Sequence, residues 1–200
     1  MKSKSKQKFL IASMMMLGCS LFFSSCDEDD ATKVPTLDAV KGNYSGKVIV
    51  DVPTPSPALL MVAADAADGV NVSATLKNDT IVFDDFIIKE IAEAIFPEEQ
   101  TDSVIKALGK VKYGIGYKAA FDSAKDSIYL ELSPKPIELS FTLEENSVTA
   151  VLEVAEVGKG KFALKDKALA FELTIEKMTI NDEDIEDFVL PTLKYDLKQK

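Results

Sequence analysis

The 200-residue chain contains no histidine, no tryptophan and no arginine; its 23 basic residues are all lysines, set against 33 acids. Without histidine there is no Ser-His-Asp or Cys-His nucleophile pair and no imidazole metal ligand. Each of these needs a group that exchanges a proton or offers a lone pair near neutral pH. Without arginine there is no planar fork to grip phosphate or carboxylate through two parallel hydrogen bonds. A formal charge of −10 argues against a nucleic-acid partner, because phosphate-backbone binding depends on cationic side chains releasing counterions. Cysteine is almost missing as well, with Cys19 and Cys26 the only two. What remains plentiful is apolar material, at 46% of residues, enough for the core of one domain.

The front of the chain has a distinct character. Lys2, Lys4, Lys6 and Lys8 form a positive start with no acid nearby, and residues 9–23 are mostly apolar. Such a run is shorter than the roughly 20 residues a helix needs to cross a bilayer, but it suits the apolar region of a secretory signal. It ends Phe23-Ser24-Ser25-Cys26, and this resembles the cleavage and lipidation site of bacterial lipoproteins. The resemblance implies a signal peptide over residues 1–25 and lipid attachment at Cys26. Cys19 is the poorer candidate, because cleavage there leaves Leu21, Phe22 and Phe23 in the mature tail. Cleavage before Cys26 leaves 175 of the 200 residues, and the loss of four lysines moves the charge from −10 to −14. Two or three acyl chains would hold such a protein on a membrane almost permanently, whereas one holds weakly. With the sulfur of Cys26 occupied, no disulfide is available and the fold must rest on its core.

Asp27-Glu28-Asp29-Asp30 follows at once, a solvated acidic patch with nothing to pack. It is similar to the acidic tag behind the cysteine of surface-exposed Bacteroidetes lipoproteins, which implies an outer-membrane, lipid-anchored and surface-exposed location. Residues 26–36 then read as a lipidated cysteine and acidic tether, and residues 37–200 as a single mainly β domain. No long polar or Gly/Ser linker divides that domain.

From residue 37 onward the dominant signal is period-two alternation, the mark of strands with one buried face. Ten strands are expected, at 43–52, 70–77, 80–83, 111–121, 127–132, 137–143, 148–154, 161–164, 169–180 and 192–197. The pair Asn78-Asp79 predicts a hairpin turn between the second and third. Two segments break the alternation. Residues 86–96 place Ile88, Ile91, Ala92 and Ile95 on one helical face, with Asp84-Asp85 as the expected cap and Pro97 as the stop. Residues 101–108 predict a second helix capped by Thr101 or Asp102 and ended by Gly109. Pro53, Pro55 and Pro57 predict an extended loop, and residues 58–64 are compatible with a strand or a short helix. The fold expected is an antiparallel sandwich or a flattened barrel, with the short helical insertion plugging one end or face.

Three stretches carry a wider resemblance: Gly42-Asn43-Tyr44-Ser45-Gly46-Lys47, residues 78–91, and Lys112-Tyr113-Gly114-Ile115-Gly116-Tyr117. Together they resemble uncharacterised Bacteroidetes surface lipoprotein domains of the domain-of-unknown-function type, some of them described as calycin-like barrels. The likeness covers most of residues 40–180. It implies a location and a fold class, and it brings no activity, since the family it points to has none assigned.

Carboxylates are the one abundant group able to do acid-base chemistry. Asp84-Asp85, Glu98-Glu99 and Glu144-Glu145 are the pairs a glycosidase would draw on, but adjacent strand residues face opposite ways and adjacent loop residues stay solvated. Residues 181–187 concentrate oxygen ligands. Counted from Asp182, however, the sixth and twelfth places of a calcium loop hold Asp187 and Leu193 where glycine and glutamate belong. No metal and no cofactor is expected. The best binding candidates are Tyr113, Tyr117 and Phe121 on one strand face, with Gly114 and Gly116 opposite offering a close backbone approach. Such aromatics at strand spacing are also what a core requires.

These residues predict a non-enzymatic, lipid-anchored surface protein that binds a small-molecule or protein ligand or joins an envelope assembly. An open apolar barrel interior would favour a small molecule, and a filled one a protein. The alternatives are a carboxylate-based hydrolase, which needs two facing acids with one pKa raised, and a purely structural or adhesive component.

Overall fold

A computed structural model describes residues 34–52, 69–95, 98–143, 146–185 and 191–200, with the side chains of 94, 95, 98–100 and 143 left aside. The expected signal peptide, Cys26 and the tether as far as residue 33, the Pro53–Pro57 loop with the segment 58–64, Glu144-Glu145 and Glu186-Asp187 lie outside the described residues or side chains, as do the side chains of Glu98 and Glu99.

Eight antiparallel strands close into a barrel. They are β1 (Gly42–Asp51), β2 (Val70–Lys77), β3 (Thr80–Phe83), β4 (Tyr113–Phe121), β5 (Ser127–Ser133), β8 (Gly160–Ala163), β9 (Ala168–Ile180) and β11 (Thr192–Gln199). Their neighbour order is β11-β1-β2-β3-β4-β5-β8-β9, and β9 returns to β11 to complete the ring. Of the two architectures left open by the sequence, the structure is therefore the barrel. The remaining strands are β6 (Ile137–Leu143), β7 (Asn146–Glu156) and the two-residue β10 (Glu183–Asp184).

Alternation explains the barrel wall. Tyr44 and Val48 of β1, Ile81 and Phe83 of β3, Ile128 and Leu130 of β5, and Leu193, Tyr195 and Leu197 of β11 are buried on the inner face. Between them come exposed polar residues such as Lys47, Lys77, Glu131 and Lys194. Closure between β1 and β11 requires a glycine. A Cβ on Gly46 would run into the carbonyl oxygen of Asp196 and come within 2.8 Å of the Leu197 Cα.

β9 is too long to serve the barrel alone. Residues 168–174 pair with β11, while residues 173–180 pair with β7 across a bulge at Glu153/Val154. The β6–β7 hairpin and the end of β9 thus extend the sheet beyond the barrel and bury Ile137, Leu139, Phe141, Leu152 and Met178. Helix α2 (Glu98–Leu108) packs on β6, and helix α1 (Ile88–Ile95) packs on α2. The barrel, the sheet extension and both helices share one continuous core.

The helical insertion begins later at one end and earlier at the other than the sequence predicts. Asp84 and Asp85 precede α1 by several residues and serve as ion-pair partners of Lys112 (2.8 Å) and Lys110 (2.9 Å) rather than as its cap. Thr101 and Asp102 lie inside α2, where Thr101 is buried. Phe86 plugs the adjacent end of the barrel, its ring 4.8 Å from Tyr113 and 5.6 Å from Phe83. At the other end a 3-10 turn (Leu37–Val40) is held by two bonds from Gln199 Nε2, to the carbonyls of Ala39 (3.1 Å) and Lys41 (2.7 Å).

Candidate functional site

The barrel interior is occupied by its own aromatic side chains. Tyr195 stacks on Phe171 at 4.5 Å and 10°, meets Phe83 at 5.3 Å, and so joins the Phe83-Phe86-Tyr113 contact. Tyr44 meets Phe162 edge-on at 6.2 Å. Tyr44 donates its hydroxyl to the carbonyl of Val40 at 2.6 Å, whereas the hydroxyls of Tyr117 and Tyr195 have no hydrogen-bond partner among the described residues.

Tyr113 and Tyr117 both point into this interior. Tyr113 donates to the Lys135 carbonyl at 2.6 Å, and burial pushes its phenol up to about 12. Tyr117 is 5% exposed, and burial with Asp79 nearby raises its pKa. Phe121 is half-buried near the far end of β4. The three share a strand face without lining a common cavity: Tyr117 borders a crevice of about 300 Å³ with Asp38, Lys41 and Asp79, and the other two do not. Gly114 and Gly116 are not required for a close approach. A Cβ would sit 3.5 Å from Thr80 Cγ2 at the first and 3.7 Å from the Ser133 carbonyl at the second, both ordinary contacts.

A larger crevice, of about 710 Å³, opens through the barrel wall beside β2. Its origin is a mismatch of strand lengths. β2 runs eight residues and β3 four, so only Thr75, Leu76 and Lys77 have partners in β3. After Phe83 the chain turns away into the helices, leaving residues 70–74 unpaired on that edge among the described residues. Val70, Val72 and Ala74 line it from β2 and Phe86, Ile88 and Ile105 from the helical insertion, and Tyr44 of β1 is also part of the lining. Charges gather at the rim: Asp84, Asp85 and Glu90 against Lys89 and Lys200. The bond and charge of Lys112 hold the Asp84 carboxyl below its ordinary range, and Lys89 leans 3.5 Å from Glu93. Glu90 is half-buried and has no ion pair among the described residues.

The acidic stretch at 181–187 folds, as far as it is described, into a tight turn. Asn181 and Asp182 take left-handed φ values of 50° and 66° between β9 and β10, and Asp184 pairs with Lys177 at 2.8 Å. Among the described residues, no three acidic or cysteine side chains converge as a metal site.

The arrangement is an apolar crevice beside a strand edge left open among the described residues. A model described as a domain of unknown function, DUF4840, matches residues 39–180. The chain belongs to the DUF4840 family. The match takes in both helices and the β2 crevice apart from Lys200 but ends with the last residue of β9, so the closing strand β11 lies beyond it. No curated protein and no solved structure matches the chain.

Proposed function

We propose that this DUF4840 protein is a non-enzymatic, lipid-anchored component of a Bacteroidetes-type outer membrane. Its barrel, displayed at the surface, binds a partner through its outer wall. The anchor reading rests on the lysine-rich start, the apolar run and the serines that lead into Cys26, and on the acids directly behind it. The choice of the outer wall over the interior is carried by one observation: the lumen is packed with Tyr44, Phe83, Phe162, Phe171 and Tyr195. A filled lumen disfavours a small apolar ligand held inside and favours a protein partner.

The hydrolase alternative gains nothing from Asp84 and Asp85. A general acid needs a raised pKa, whereas the Asp84 carboxyl is lowered by Lys112. Replacing Cys26 with alanine tests the anchor, since it should move the protein from the membrane fraction to the soluble fraction. An unchanged distribution would mean that something else holds it there. Replacing Asp27, Glu28, Asp29 and Asp30 by alanine should lower protease accessibility on intact cells; unchanged accessibility would reduce the stretch to a spacer.

A further inference from the structure

The β2 crevice carries a narrower identification of the partner. The turn Asn78-Asp79 has φ of 49° and 53° at its two central residues, the type I′ geometry of a two-residue hairpin. Its closing pair Lys77/Thr80 therefore exchanges backbone hydrogen bonds, as does Thr75/Val82 two residues on. Continuing that alternation, the N–H and C=O groups of Ser73 and Asn71 point to the same side, away from β1. Val72 and Ala74 point theirs toward β1, opposite Gly46 and Tyr44. Among the described residues, no strand takes up the Ser73 and Asn71 groups. A comparable vacancy on β5 is treated differently: past the last residue paired with β8, the Leu132 N–H is met by Glu156 Oε1 at 2.9 Å.

We propose that the β2 crevice is a strand-addition site that takes an extended polypeptide segment with alternate apolar side chains turned inward and a lysine or arginine at the Glu90 end. This rests on the reading of the protein as a binding module and narrows its ligand. The free donor-acceptor sets on Asn71 and Ser73 are two residues apart, roughly 6.6 Å. A polypeptide backbone repeats its own donors and acceptors at that interval, and neither a lipid nor a sugar does. Inward side chains meet Val72 and Ala74 on one wall and Ile88 and Ile105 on the other. The charge preference follows from the rim. Lys112 and Lys110 engage Asp84 and Asp85 and Lys89 leans on Glu93, which leaves Glu90 and Lys200 as the rim charges without an ion pair among the described residues; Glu90 is the group that answers a cation, and the chain's charge of −10 favours a basic segment over an acidic one.

The test is residue-resolved hydrogen exchange on the detergent-purified full protein, with a synthetic octapeptide of alternating lysine and valine as the probe. In the free protein the amides of Asn71 and Ser73 should exchange readily. Millimolar peptide should slow them by about tenfold or more while leaving those of Val72 and Ala74 as they were. An octapeptide with glutamate in place of lysine should bind about fivefold more weakly. Ser73→Pro removes one crevice-facing donor and no bond to β1, so it should abolish the protection without loss of the fold. A peptide N-methylated on its edge-facing amides should fail on the unaltered protein, which keeps the test decisive if the proline variant does not fold.

Protection of Asn71 and Ser73 before peptide is added would overturn the proposal, because another part of the chain would then fill the crevice. Equal protection by the N-methylated peptide would overturn strand addition, and equal binding of the glutamate peptide would overturn the charge preference. None of these outcomes bears on Cys26→Ala, whose fractionation tests the anchor alone.

Discussion

Two tyrosines on the same barrel face should respond in opposite directions to the same deletion. Tyr44→Phe removes a 2.6 Å hydrogen bond and strands the carbonyl of Val40, itself a buried residue, in the 3-10 turn. Losing a neutral bond and leaving its acceptor unmet costs about 1–2 kcal/mol. Tyr195→Phe removes a hydroxyl that is buried and without a partner among the described residues, and it keeps the ring stacked on Phe171 at 4.5 Å. The desolvation penalty of that hydroxyl then disappears, and the variant should gain about 1 kcal/mol. In a domain of this size each kcal/mol moves Tm by about 2–4 °C. Thermal melts at neutral pH should therefore place Tyr44→Phe below the parent and Tyr195→Phe above it. If Tyr195→Phe fell as far as Tyr44→Phe, the hydroxyl would have an effective partner and its description as buried and unpartnered in an aromatic-filled lumen would be wrong.

Gly46→Ala should destabilise the barrel by about 1–3 kcal/mol, because its Cβ meets the backbone of β11 and not a side chain that can swing aside; a denaturant midpoint equal to that of the parent would show that β1 and β11 have room to separate. Phe162→Ala should cost about 3–5 kcal/mol by opening a cavity beside Tyr44, and a loss under about 1 kcal/mol in the same assay would mean the lumen collapses around the gap. Alkaline pH should also unfold the protein. Burial raises the phenols of Tyr44, Tyr113, Tyr117 and Tyr195, that of Tyr113 to about 12 from an ordinary 10. Between those values the unfolded chain has released protons that the folded chain keeps, so stability falls as pH rises through that window and is unaffected by these groups below it. A Tm that stays level from pH 9 to pH 12 would contradict this.

Much of the fold was readable because each barrel strand keeps one face wet. Tyr44, Val48 and Val72, or Leu193, Tyr195 and Leu197, repeat every second residue whatever their partners are. Partners are another matter. β1 and β11 lie at opposite ends of the domain, and nothing local to either strand announces that they pair, which is why barrel and sandwich stayed open. β9 shows its length in the sequence but not that its two halves serve different neighbours, and a two-residue strand such as β10 has no periodicity to read. The helices start at Ile88 and Glu98, away from the expected positions, for a physical reason. Asp84 and Asp85 look like caps, but lysines at 110 and 112 claim them from across the chain. The β2 crevice had left a trace. A strand of eight residues joined by a two-residue turn to one of four leaves backbone unpaired, and that arithmetic was available without the structure.

Intact-mass and fragment mass spectrometry of the protein extracted from its host membranes should find a chain that begins at Cys26 with a diacylglycerol thioether on its sulfur. A free thiol at Cys26, or a chain that still carries Lys2 to Lys8, would contradict the proposal that this barrel is a lipid-anchored envelope protein.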